Sequence, residues 1–211
     1  MTSALPADDD AGALLRGLVI GVVTNVKDPD GLGRVKVALP WLADGFETDW
    51  ARIASPMAGP GRGLYLLPEI DDEVLVGFGH GRLDSPFVVG ALWNGKDKPP
   101  ESNSDGKNDR RSFTSRSGHV IRLTDTKGEE RIEILDKSGK NSVVVDTKTN
   151  TVTVSADTDV VVRATKGKLT LAGDGGVEIS SGKGDVKVTG KGVEVKANAK
   201  LVLKGATVDI N

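Results

Sequence analysis

From Ile121 to Ile210 the chain repeats one small unit, two β-branched or leucine residues separated by a single residue. The pairs are Ile121/Leu123, Ile132/Ile134, Val143/Val145, Val152/Val154, Val160/Val162, Leu169/Leu171, Val177/Ile179, Val186/Val188, Val193/Val195, Leu201/Leu203 and Val208/Ile210. Their first members are 11, 11, 9, 8, 9, 8, 9, 7, 8 and 7 residues apart, tightening toward an octad. Side chains alternate across a strand, so each unit predicts a short strand with one apolar face. Gly167, Gly173, Gly175, Gly182, Gly184, Gly190, Gly192 and Gly205 supply the corners between them. Repetition at this spacing predicts a solenoid or fibre, in which no unit buries its face alone.

The composition of this stretch narrows the choice. The last aromatic is Phe113 and the last proline is Pro100. A core of Val, Ile and Leu suits a narrow interior, and the absence of proline suits strands whose every N–H enters a ladder. An octad is too short for a full coil of a single-chain β-helix, which takes about twenty residues. One apolar pair per octad therefore supplies one wall, and the other walls are expected from other copies: a homotrimeric β-prism, with each chain winding around the axis. The expected trimer core is Val143, Val145, Val152, Val154, Val160, Val162, Leu169, Leu171, Val177, Ile179, Val186, Val188, Val193, Val195, Leu201 and Leu203. Eleven strands stacked about 4.8 Å apart would make a needle on the order of 50 Å long.

The remainder of the 211 residues reads differently. Residues 1–16 are acidic and predict a flexible tail; 17–94 alternate strand and turn signals; 95–117, rich in charge, Pro, Ser and Gly, predict a linker; 118–211 are the repeats. The strands expected before the linker are GLVIGVVTNV, RVKVALPW, ARIASP, GLYLLP, DEVLVGFGHG and PFVVGALW. Five or six strands with no helical period predict a small closed barrel, since closure removes exposed edges. A net charge of −2 gives no general pull toward nucleic acid or membrane, and the absence of cysteine excludes disulfides and thiol chemistry. The N-terminus has neither basic flank nor apolar core, so no Sec signal is expected.

GRVKVALPW (Gly33 to Trp41), the run from Ala51 to Phe78 and DSPFVVGALWNGKDKPP (Asp84 to Pro100) resemble the oligonucleotide/oligosaccharide-binding (OB) barrel of contractile-tail spikes. Those are the phage baseplate assembly protein V family and the VgrG spikes of type VI secretion. SRSGHVIRLTDTKGEERIEI (Ser115 to Ile134) resembles the segment leading from that barrel into the spike. The resemblance implies an all-β chain, an N-terminal OB barrel followed by an intertwined triple-stranded β-helix. It implies a homotrimer assembled in the cytoplasm, incorporated into a virion tail or contractile injection particle, and driven transiently into a target envelope. Without a hub-like domain ahead of the barrel, a separate hub protein is expected at the barrel end. The expected contact for a PAAR-like tip protein is the last strand, Thr207, Val208, Asp209, Ile210 and Asn211.

Candidate chemistry is sparse. His80 and His119 have no Ser, Cys or paired carboxylate at motif spacing. Asp71, Asp72 and Glu73 sit where a turn is expected, and Asp28-Pro29-Asp30-Gly31 brings its glycine too early for a calcium loop. Gly59 to Gly63 lacks the Lys-Ser/Thr of a phosphate cradle, and the Asp residues of the C-terminal repeats are not periodic as in a calcium roll. No catalytic, cofactor or metal residue is therefore expected, and no enzymatic activity. Trp41, Trp50 and Trp93 have no basic cluster near them in sequence, so barrel core or subunit contact is expected rather than nucleic-acid stacking. The alternatives are a glycan- or nucleic-acid-binding OB module with a fibrous tail, and a non-catalytic tailspike scaffold.

Overall fold

The computed structural model describes residue 15 and residues 17–210. The N-terminal tail, apart from Leu15, and Asn211 of the expected tip contact lie outside the described residues. The chain divides into two units, the first ending at Ser155 and the second beginning at Ala156.

Seven strands build the first half of unit one: β1 (Leu18–Asn25), β2 (Lys36–Ala38), β3 (Arg52–Ile53), β4 (Ala58–Gly59), β5 (Arg62–Gly63), β6 (Glu73–Phe78) and β7 (Pro86–Ala91). Five of them form one sheet in the order β2-β1-β6-β7-β3, antiparallel except for the parallel β3–β7 pair. The two edges are joined by an antiparallel bridge in which Val35 N–H donates to Ala51 O (3.0 Å) and Ala51 N–H to Val35 O (2.8 Å). Closure with that order is the OB barrel. Its interior is lined by Val23, Val35, Val37, Leu39, Ala51, Val74, Val76 and Val88, all aliphatic. The barrel is tight enough to require glycine at position 21. A Cβ there would lie 2.4 Å from Val37 Cγ1 and 2.9 Å from the Ala38 carbonyl oxygen.

One sequence expectation fails in the barrel. GLYLLP is not a strand: only Arg62–Gly63 pair, with Ala58–Gly59, and Leu64–Leu67 run on without a strand partner. The chain leaves the ladder at Gly63, whose φ of +153° turns it away, and Ser55 Oγ ties Met57 O and Leu64 O together at the base. Of the two places expected for the tryptophans, barrel core or subunit contact, the barrel interior holds none of them. Trp41 and Trp93 are exposed and Trp50 is half-buried, because an interior filled by small aliphatic side chains has no room for an indole.

The second half of unit one is a five-stranded antiparallel meander: β8 (Arg110–Thr114), β9 (Val120–Thr124), β10 (Arg131–Leu135), β11 (Ser142–Asp146) and β12 (Thr151–Ser155). The walls are expected from other copies, and here neighbouring repeats of one chain already build a sheet together. The pairs at 121/123, 132/134, 143/145 and 152/154 ladder onto one another within the chain. The physical reason is that each connection closes as a hydrogen-bonded turn: Glu129 N–H to Thr126 O (2.8 Å), Gly139 N–H to Asp136 O (2.9 Å) and Thr149 N–H to Asp146 Oδ1 (2.9 Å). The spacings of 11, 11 and 9 leave turns at 125–130, 136–141 and 147–150, long enough to reverse the chain. Gly139, at φ +71°, sits in the middle turn, which Asp136 closes by accepting hydrogen bonds from Ser138 Oγ (2.8 Å), Asn141 N (3.2 Å) and Asn141 Nδ2 (2.9 Å). Strand β8 falls inside the stretch expected to be linker.

In unit two the described residues form no strand, and residues 157–210 are exposed throughout. Local turns are held by Gly176 N–H to Gly173 O (3.0 Å) and Gly184 N–H to Ser181 Oγ (3.1 Å).

A candidate assembly surface

The meander is two-faced. Register places Phe113, Ile121, Ile134, Val143 and Val154 in one row across the five strands, and Leu123, Ile132, Val145 and Val152 in the next. Every one of these nine side chains is exposed by more than a third. A contiguous apolar face of this kind marks a surface meant to be covered. Val143, Val145, Val152 and Val154 of the expected trimer core share this face. The other twelve, Val160, Val162, Leu169, Leu171, Val177, Ile179, Val186, Val188, Val193, Val195, Leu201 and Leu203, lie in unit two, each at least half exposed. Within each of these pairs the first member is less exposed than the second. Thr207, Val208, Asp209 and Ile210 are likewise exposed, with Ile210 at 84%.

On the opposite face of the meander Glu101 engages β8 and β9, while Thr151, Thr153 and Ser155 of β12 stay exposed. Arg122 donates from Nε to Glu101 Oε1 (2.7 Å), and Arg110 Nη1 lies 3.3 Å from Glu101 Oε2. Glu133 stands between Arg122 (3.7 Å) and Arg131 (3.3 Å). Period-2 alternation with the apolar pairs already places Arg122 and Glu133 on one face. The arrival of Glu101 from the expected linker had no sequence signal.

The barrel's polar residues are engaged locally. Asp28 caps its own loop, accepting from the backbone N–H of Asp30 (3.1 Å), Leu32 (2.9 Å) and Arg34 (3.2 Å) and from the Arg34 guanidinium (2.7 Å). Arg34 holds the Asp28 carboxyl well below the usual carboxylate range; partial burial opposes this, and the three amides add to it. Cations do approach one tryptophan, contrary to expectation: the Arg34 guanidinium is 5.9 Å and the Lys36 ammonium 5.7 Å from the Trp50 ring centroid. Sequence spacing hid this because the barrel's closing bridge brings residue 50 beside residues 34–36. Both cations are paired, Arg34 with Asp28 and Asp30, and Lys36 with Glu47 at 2.7 Å. The Trp50 corner is thus close to charge-neutral and gives no electrostatic groove for a phosphate backbone.

His80 lies in a short 3₁₀ turn (Gly79–Gly81) at φ +53°, and His119 Nδ1 accepts from Lys137 N–H (3.2 Å). Asp71, at φ +74°, is in a turn, as expected for that acidic run, while Glu73 opens β6. Among the described residues no group of three His, Cys, Asp or Glu is placed to hold a metal ion.

Residues 19–93, the barrel, match the family described as the type VI secretion system/phage-baseplate injector OB domain. Residues 110–211 match a second family, described as an uncharacterized protein conserved in bacteria. Similar proteins are spike proteins of the type VI secretion system from Pseudomonas aeruginosa. VgrG5 is 35% identical over 114 residues, 49% of this chain and 14% of that protein. VgrG2a is 29% identical over 122 residues, and VgrG1a 28% over 146, which is 62% of this chain and 23% of VgrG1a. The barrel is an injector OB domain of the baseplate and type VI kind, and the chain around it is similar to type VI spike proteins. The chain spans less than a quarter of the length of these relatives. The matched barrel begins one residue inside β1 and ends two residues past β7, and the second match begins at the first residue of β8. The first match thus coincides with the barrel, and the second starts with the meander and runs on through unit two.

Proposed function

We propose that this chain is a structural, non-enzymatic spike subunit that pierces a target envelope when a contractile machine fires, and that it works as a homotrimer. The observation supporting this is the two-row apolar face of the meander. Its polar side is engaged in part by the chain's own Glu101, and its apolar side is left open to other copies. The apolar pairs of residues 160–210 continue the same pattern in backbone that has no strand partner of its own, and exposed strand groups of this kind are satisfied when further strands join them. Three such chains wound together would bury the Val, Ile and Leu pairs, and unfolding would then require three chains to separate at once, which gives kinetic stability under compression. Oligomerisation and folding of the C-terminal half would be inseparable.

In this reading the barrel faces a hub protein, the C-terminal residues 207–211 carry a PAAR-like tip protein, and contact with the target envelope is transient. The particle would assemble in the cytoplasm and act outside it. Light scattering on the purified chain tests the reading: the expected mass is three times 22.1 kDa, resistant to SDS at room temperature. A soluble, well-folded single-copy species at working concentration would overturn it.

A further inference from the structure

Residues 95–109 have the composition of a flexible tether, but they are tied at both ends and in the middle. At the start, Asn94 Oδ1 accepts from the backbone N–H of Lys96 (2.8 Å) and Asp97 (2.7 Å), and its Nδ2 lies 3.3 Å from Asp97 Oδ2. At the far end, Asn103 Oδ1 accepts from Asn108 N–H (2.7 Å), Gly106 N–H bonds Asn103 O (3.0 Å), and Asp125 N–H bonds Asp109 O (2.7 Å). Between these ties lies Glu101, whose carboxylate meets Arg122 of β9 and Arg110 of β8 on the polar face of the meander.

We infer that residues 95–109 are a strap rather than a linker. Glu101 clasps it to the meander, and the clasp holds the spike's first sheet in fixed relation to the barrel strand β7 from which the strap departs. An exposed ion pair would not carry this, since isolated surface pairs contribute almost nothing. Here the side chains of Glu101, Arg122 and Glu133 are 19%, 25% and 12% exposed, and they form one alternating line of charge that ends at Arg131. Charge-assisted bonds in such a network are stronger and less screened than surface pairs. Beneath it Thr124, laddered between Arg110 and Arg131, is 6% exposed, and its Oγ1 is buried without a hydrogen-bond partner. A tether that swung freely would leave this face open to water. Under the proposed function the strap matters because it carries compressive force from barrel to spike alongside the Arg116–Glu69 ion pair (3.0 Å), and a loose joint there would buckle.

Hydrogen–deuterium exchange on the full chain tests the inference. In the unmodified protein, amides in 102–109 and at Asp125 should exchange well below free-peptide rates. Glu101→Ala should accelerate them about tenfold, the effect of losing charge-assisted bonds to two arginines. Arg122→Gln should do the same from the other side of the clasp, and the double substitution should add little to either. Exchange at free-peptide rates in the unmodified chain, or no change in either single variant, would overturn the strap. Light scattering on the same samples separates this from the assembly reading: a variant with three-copy mass and fast exchange supports the strap, whereas a single-copy mass for the unmodified chain strikes the proposed function alone.

Discussion

Ile134→Asp is the most direct probe of the apolar face. Ile134 occupies the middle of its row, laddered to Ile121 on one side and Val143 on the other, and remains 50% exposed. Fully burying an isoleucine side chain contributes about 1.5–3 kcal/mol, so covering the remaining half is worth about 1 kcal/mol per chain. A trimer buries three copies, about 3 kcal/mol, which is roughly a hundredfold in the association constant. Trimer formation depends on the square of the monomer concentration at half-assembly, so loss of this apolar contribution alone raises that concentration about tenfold. The carboxylate adds the cost of desolvating three like charges, so the loss should be larger. The assay is light scattering across a dilution series, with Val144→Thr as the control, since Val144 is paired with Glu133 on the opposite face. Ile134→Asp should dissociate at concentrations where the control holds three-copy mass, while tryptophan fluorescence from the barrel stays unchanged. An Ile134→Asp protein that keeps its assembled mass on dilution would refute the reasoning.

Three further outcomes follow from the structure. Gly21→Ala should destabilise the barrel by about 1–3 kcal/mol through overpacking against Val37 and the Ala38 carbonyl, read as a lower tryptophan unfolding midpoint; an unchanged midpoint would contradict the packing described for β1. The Asp136 carboxyl is pulled from 3.8 down to about 2, chiefly by Ser138, with partial burial opposing and Asn141 assisting. A depressed folded-state value contributes stability that is present above the unfolded value near 4 and lost as pH falls toward 2. The 136–141 turn should therefore loosen across that window by amide exchange, and Asp136→Asn should remove the dependence. Deleting residues 207–211 should abolish capture of a PAAR-like tip protein in a pull-down while leaving three-copy mass; retained capture would place the tip contact elsewhere.

The alternation of Ile121/Leu123 through Val152/Val154 was legible because a strand shows its period in the chain itself. The change in spacing from 11, 11 and 9 toward 8 also lay in plain view, and it coincides with the end of the meander at Ser155. By contrast, Trp50 beside Arg34 and Lys36, and the run 65–67 outside any strand, follow from barrel closure and from the chain's course after Gly63, which local propensity does not encode.

The sequence by itself determined the all-β character, a small closed barrel and the one-sided greasy stripe, because side-chain alternation and turn residues act over a few positions. Only the tertiary structure decided that the first four apolar pairs ladder within one chain, and that the presumed tether is pinned through Glu101 to Arg122. The clasp joins residues 21 apart, a carboxylate and a guanidinium that find each other through the fold and not through spacing, whereas the ladder pairs neighbouring strands within 15 residues according to which connections close as turns.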